Sequence, residues 1–425
     1  MVAAETRHRQ PDDPPGPHAG GESLTAETDL ASRWVGGSVV EASDESFGDK
    51  ENLLKPEPAA FEPGRYGNRG EIVDGWETRR RREPGHDWAL IRLGTPGIVS
   101  SIDVDTSYFT GNFPESCRIE ACGYEGYPSP AELDGSGADW VEIVPRSPLG
   151  GDMHNTFVVS DPRRFTHVRL ATAPDGGVAR LRVFGRVVLD PRRFDGLTFD
   201  LASQEQGGMV VASSDGFYTS ARMLNRPDRA RTMGEGWETR RRRDSGHDFV
   251  VFQLGLPGHL RQLIVDTAHF RYNASAEIGV FGSRLEPAPP AASPSWHPLL
   301  PRTRLQPDTR HVFALPPQSQ PLAAIRVDAH PDGGISRIRM IGGLDTMTRR
   351  RAGLTWFNSL PAGQAVQCLK AAGLSGPVAA GIVGLGPLRD DWLSQLAPLG
   401  SALAIEAIDA DLRAVGSILE GPGQE

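Results

Sequence analysis

The sequence predicts an all-β protein built from two tandem, homologous β-sandwich domains of the jelly-roll kind, with a short helical C-terminal extension. Three observations carry that expectation. Long segments of the chain recur in order. Apolar residues inside each copy fall in short runs of period two, as strands with one buried face require. Gly 49 and Pro 35 among 425 residues supply frequent turns, yet hydrophobic residues at 38% leave enough for packed cores. A pair of β-barrels would fit the same pattern.

The repeat is read directly. GWETRRRREPGHDW begins at residue 75 and GWETRRRRDSGHDF at 236, an offset of 161. DTSYFTGN at 105–112 matches DTAHFRYN at 266–273, and VVEASDESF at 39–47 matches VVASSDGF at 210–217. PDGGVARLRVFG at 174–185 matches PDGGISRIRMIG at 331–342. Units this long are domains rather than solenoid repeats.

The elements follow in chain order. Residues 1–27 are polar, rich in Pro and Gly and without periodicity, and are expected to be a disordered arm. Repeat 1 spans 28–189, with strands expected at WALIRLG, SIDVDTSYF, RIEACGY and ARLRVFG. Repeat 2 spans 190–345, with FVVFQLG, QLIVDT, AEIGVFG and SRIRMIG in the same roles. Residues 346–425 change character: AGQAVQCLKAAG, RDDWLSQLAPLG and SALAIEAIDADLRAVGSILEG are Ala- and Leu-rich at helical spacing. Gly400 followed by Ser401 reads as a helix stop and N-cap.

Composition excludes several classes. No run approaches a membrane span, and the N-terminus has no apolar signal core. Cys117, Cys122 and Cys368 form no disulfide framework and no CxxC pair, which points to the cytoplasm. A net charge of −9 argues against a nucleic-acid partner. Only Lys50, Lys55 and Lys370 are lysines, so arginine abundance itself says little; where arginines cluster says more.

The GWETRRRR segments are such clusters. In an extended strand Trp76, Thr78, Arg80 and Arg82 share one face, and Glu77, Arg79 and Arg81 the other. A carboxylate then sits beside two guanidinium groups able to grip a small anion bidentately. The bland reading is a charged strand edge that blocks pairing. His86-Asp87 and His247-Asp248 follow at once, and histidine exchanges a proton near neutrality. Asp105 and Asn112, with Asp266 and Asn273, sit where strands enter loops; Asx-turns compete there with hydrogen bonding to an amide or ureido group. Arg180, Arg182, Arg337 and Arg339 alternate on the strand after PDGG and point at a site or at water. There is no P-loop, GxGxxG, GxSxG or HExxH, and no spacing that demands a metal.

On the paired GWETRRRR…GHD, DT…F…N and PDGG segments, the sequence resembles the allantoicase (allantoate amidinohydrolase) family over about residues 28–345. The resemblance implies tandem jelly rolls and hydrolysis of allantoate to ureidoglycolate and urea. It implies proton transfer by His86 or His247 with Glu77, Asp87, Glu238 or Asp248. The substrate carboxylate would be held by Arg79 and Arg81 or by Arg240 and Arg242, and the ureido groups by Asp105, Asn112, Asp266 and Asn273. A divalent ion held by carboxylates is compatible with this scheme, and self-association into a homo-oligomer is expected. WFNSLPAGQAVQCLKAAG resembles the opening of the OHCU decarboxylase family, but residues 351–425 contain no histidine, so the tail is read as a packing or docking element. The competing functional class is a non-catalytic tandem jelly-roll module for a small anionic or carbohydrate ligand.

Overall fold

Residues 22–23, 27–135, 138–402 and 408–422 are described by the computed structural model. Each repeat is organised around one strand of 19 residues, Asp87–Asp105 in repeat 1 and Asp248–Asp266 in repeat 2. The first half of Asp87–Asp105 pairs with Ser38–Ala42 and Arg164–Ala173, and the latter carries on to Ser116–Cys122 and Val141–Pro148. Its second half pairs instead with Arg180–Val187 and His154–Val158. Repeat 2 copies the pattern around Asp248–Asp266, with Met209–Ser213 and Leu322–His330 in one layer and Arg337–Gly343 and Arg310–Ala314 in the other. Two antiparallel layers share a bent strand, and the apolar faces meet between them.

The strands expected at WALIRLG and SIDVDTSYF are therefore one. Gly94-Thr95-Pro96-Gly97 reads as a turn, but it is the point at which the strand changes partners while staying extended. The glycines there are required by crowding. A Cβ on Gly94 would lie 2.4 Å from the Val35 carbonyl oxygen, and one on Gly97 at 2.4 Å from that of Arg186. Proline fits because this position needs no amide donor. Repeat 2 has Gly255-Leu256-Pro257-Gly258 at the same place.

Each sandwich has its own core. Trp76, Ile102, Phe165, Leu170 and Leu181 are fully buried in the first, and Trp237, Phe252, Leu263, Ile325 and Ile338 in the second. The predicted arm lies mostly outside the described residues, but Glu22–Ser23 pairs antiparallel with Met209–Ser213 and so adds to the edge of repeat 2.

The extension forms helices Thr346–Ser359, Ala362–Ala371, Gly376–Gly384, Trp392–Ala402 and Ile408–Glu420. The break expected at Gly400-Ser401 is absent, because Trp392–Ala402 runs through both residues. Trp356, Leu369, Trp392 and Leu419 build a separate core that also takes in Val188. Arg192, in the linker 188–198 between the last strand of repeat 1 and the first of repeat 2, stacks on Trp356 at 4.2 Å, and Arg349 holds both oxygens of Asp195 through its Nε–Nη2 edge. No helix among the described residues is long and apolar enough to cross a membrane.

Candidate active site

The four repeated motifs converge at one place in each domain. Trp76–Glu77 pairs with Gly177–Val178, so GWET lies against PDGG; Trp237–Glu238 pairs with Gly334–Ile335 in the same way. The buried Thr78 hydroxyl accepts the Gly176 amide, and Thr239 accepts that of Gly333 at 2.7 Å. In return the PDGG carboxylates, Asp175 and Asp332, accept the backbone amides of Arg81 and Arg242 at 2.8 and 2.9 Å. Indole Trp76 donates to the Asp44 carbonyl at 2.7 Å, and Trp237 to that of Asp215 at 2.8 Å. The glycine of GWET leaves room for the buried phenylalanine of DT…F…N. A Cβ on Gly75 would meet Phe109 at 2.7 Å, and one on Gly236 would meet Phe270 at 2.6 Å.

On this scaffold the expected site residues separate into groups. Asn112 donates to the Glu77 carboxylate at 2.6 Å, and Asn273 to Glu238 at 2.7 Å. Burial pushes the Glu77 carboxyl above its ordinary range, with the Asn112 bond opposing it. Sequence reasoning placed two arginines beside this carboxylate, and here the structure differs. Arg81 turns to Asp87 at 2.7 Å and Arg242 to Asp248 at 3.0 Å, while Arg79 and Arg240 reach Asp44 and Asp215 at 3.5 Å. The strand is only Trp76–Glu77, so the alternation expected over the seven positions 76–82 stops after Glu77.

Asp87 and Asp248 are buried, and the Ser43 and Ser214 hydroxyls donate to them at 3.1 and 2.9 Å. Gly85 and Gly246 permit this, since a Cβ there would meet the Arg81 or Arg242 guanidinium at 2.6 or 2.8 Å. Asp105 and Asp266 make turns: Asp105 accepts from the Ser107 amide at 2.8 Å and Asp266 from that of Ala268 at 2.9 Å. Arg180 and Arg337 point neither at water nor at a site. Both are buried and hold loops, Arg180 through Asp74 and Arg337 through Asp228. Arg182 and Arg339 reach Asp29 and Asp200.

The histidines part company between repeats. His86 is exposed beside a 710 Å³ cavity lined also by Glu115, Arg118 and Arg146. His247 lies 3.2 Å from the buried Asp328, which Arg326 grips with two 2.6 Å bonds, and its ring is 4.6 Å from that of His330. Burial and the neighbouring His247 push His330 below its ordinary value. By the shared register Asp328 corresponds to Ala171 and His330 to Ala173, so only repeat 2 has the pair. Sequence reasoning missed Asp328 and His330 because they do not repeat. It also left Asp44 and Asp215 without a role, although both stand inside a matched segment. Among the described residues no group of three or more His, Cys, Asp or Glu is placed to hold a metal ion.

A duplicated β-sandwich with a Glu–Asn pair at the motif junction of each half defines a class of tandem-repeat β-sandwich proteins. Comparison with known proteins narrows the class. The allantoicase repeat matches residues 28–188 and 199–345. A probable allantoicase from Streptomyces coelicolor is 46% identical over 332 residues, covering 76% of this chain and 86% of its own length. One from Nocardia farcinica is 45% identical over 317 residues, covering 74% and 94%. The crystal structure of allantoicase from Saccharomyces cerevisiae is similar with a TM-score of 0.63 at 34% identity, covering 74% of this chain and 92% of that one. The chain belongs to the allantoicase family.

Proposed function

We infer that this protein is an allantoicase, a hydrolase converting allantoate and water to ureidoglycolate and urea. The observation that carries the reading is the Glu–Asn pair, held at 2.6 and 2.7 Å within the converged motifs of both repeats. Allantoate carries a carboxylate and two ureido groups on one carbon. The reaction breaks one carbon–ureido bond; the departing nitrogen takes a proton and water supplies the hydroxyl left on carbon. Glu77 and Glu238 are the groups assigned to protonate the departing urea, and burial, which raises the Glu77 carboxyl, favours its protonated form. Asn112 and Asn273 orient those carboxyls and offer amide groups to the ureido arms. Arg79, three-quarters exposed and 3.5 Å from Asp44, and its copy Arg240 are assigned to the substrate carboxylate. Arg81 and Arg242 then position the segment through Asp87 and Asp248, and Asp105 and Asp266 shape the neighbouring turn.

His247 is assigned to take the proton from water, with Asp328 holding its ring; at the matching position beside His86 stands Ala171. Urea release by the His86→Ala and His247→Ala variants tests this. The larger loss belongs to His247→Ala, and equal retention of turnover in both removes histidine from the mechanism. The three buried, unpaired cysteines support a reducing, cytoplasmic setting. Light scattering on the purified protein tests the homo-oligomer.

A further inference from the structure

A cavity of 590 Å³ opens between repeat 1, the inter-repeat linker and the helical extension, away from the motif junction. Arg92 and His167, paired across adjacent strands, line it together with Arg164, Arg193 of the linker and Gln364 of the extension. Arg164 is only 5% exposed; its Nε donates to the Val188 carbonyl at 2.7 Å. No carboxylate pairs with it among the described residues, and burial pushes its guanidinium down to about 10. Arg92 donates to Ser38 and the Gly36 carbonyl, and Arg193 to the Tyr127 hydroxyl at 2.7 Å. Neither is paired with an acid among the described residues. The acids that line the same space, Glu125 and Asp190, are both held by Arg192 at 2.6 Å. The lining therefore carries a surplus of positive charge.

Repeat 2 shows what this site looks like when it has no such duty. At the same register Ala324 stands for His167 and Gln253 for Arg92, while Pro321 takes the place of Arg164. Val251, Trp296 and Ala324 pack together there as an apolar cluster. Asp190 and Glu125 act on the buried Arg164 guanidinium only from a distance and are already held by Arg192, so its presence at one copy only calls for a further anion that compensates it. The planar fork of arginine matches carboxylate and phosphate groups alike.

We propose that this cavity is a binding site for a small oxyanion, a carboxylate or a phosphate, held by Arg92, Arg164 and Arg193. Because Gln364 belongs to the extension, an occupant ties that extension to repeat 1. Isothermal titration with inorganic phosphate and with malonate, at fixed ionic strength, tests the site. Wild-type protein is expected to bind at least one probe saturably. An Arg92→Gln/Arg193→Gln double variant, altered only in exposed or linker arginines, is expected to weaken binding about tenfold. Its urea release from allantoate should stay within about twofold of wild type. Glu77→Gln should leave anion binding unchanged. No saturable binding by wild type, or equal binding by the double variant, overturns the proposal; equal binding would place the anion on arginines elsewhere.

Discussion

Two buried carboxylates share the same surroundings in both repeats, whereas two histidines alike in sequence do not. Asp87 and Asp248 are closed in by an arginine and a serine, which suits a fixed anchor better than a group that must trade protons. His247 has Asp328 at 3.2 Å, whereas the register position in repeat 1 is Ala171. His247→Ala is therefore expected to lower kcat by about 10² with little change in KM, and His86→Ala by less than about twofold. Asp328→Ala should reproduce much of the His247 loss and flatten the acid limb of the pH–rate profile; an unchanged profile would make Asp328 purely structural. Away from the site, burial pushes His167 down to about 4. Its folded value lies below the unfolded one, so the folded state takes up fewer protons between about pH 6.5 and 4. The stability it secures is complete above pH 6.5 and is lost as pH falls through that window, by about 3 kcal/mol. Denaturant titrations across pH 4–7 should show this slope in wild type and a shallower one in His167→Gln.

Elements meet here through close backbone approach, and that is what the repeated glycines encode. Gly75 lies under Phe109, and a methyl group there would press on the ring at 2.7 Å and on the Ala179 Cα at 2.9 Å. Gly75→Ala should cost about 1–3 kcal/mol in denaturant unfolding, through overpacking that displaces GWET from PDGG. The extension depends on a different contact. Arg349 grips Asp195 and also donates to the Leu419 and Ile418 carbonyls at 3.0 and 3.3 Å, joining linker, first helix and last helix. Arg349→Ala leaves Asp195 and two carbonyls unpaired, and should cost about 3 kcal/mol. Limited proteolysis would detect it as earlier cleavage within 346–420, with the sandwiches intact. An unchanged digestion pattern would mean that the apolar core of the extension holds it without the arginine.

Across the whole molecule, what sequence could and could not supply follows from periodicity. Two sandwiches were legible because burial on one face imposes period two, and because GWET, PDGG, DT…F…N and VV…SD recur in order. The single long strand was not legible, since Gly94-Thr95-Pro96-Gly97 has turn chemistry but serves a change of pairing partner between layers. The site was half legible. Glu77, Asn112 and their copies were identified as types, but their mutual contact depends on a loop closing over a two-residue strand. Arg81 and Arg242 were expected beside Glu77 and Glu238; the deeper attraction of buried Asp87 and Asp248 draws them away. Asp328 and His330 stood outside any repeated pattern, so only the assembled sheet brings them to His247. The central claim is that the motif junction, present twice, is where allantoate is hydrolysed. Urea release from allantoate should be measured for wild-type protein and for a Glu77→Gln/Glu238→Gln double variant, with circular dichroism confirming the fold of each. The account predicts turnover by wild type and a loss of about 10² or more in the double variant. Wild-type turnover retained in the double variant, or no urea from folded wild-type protein, would contradict it.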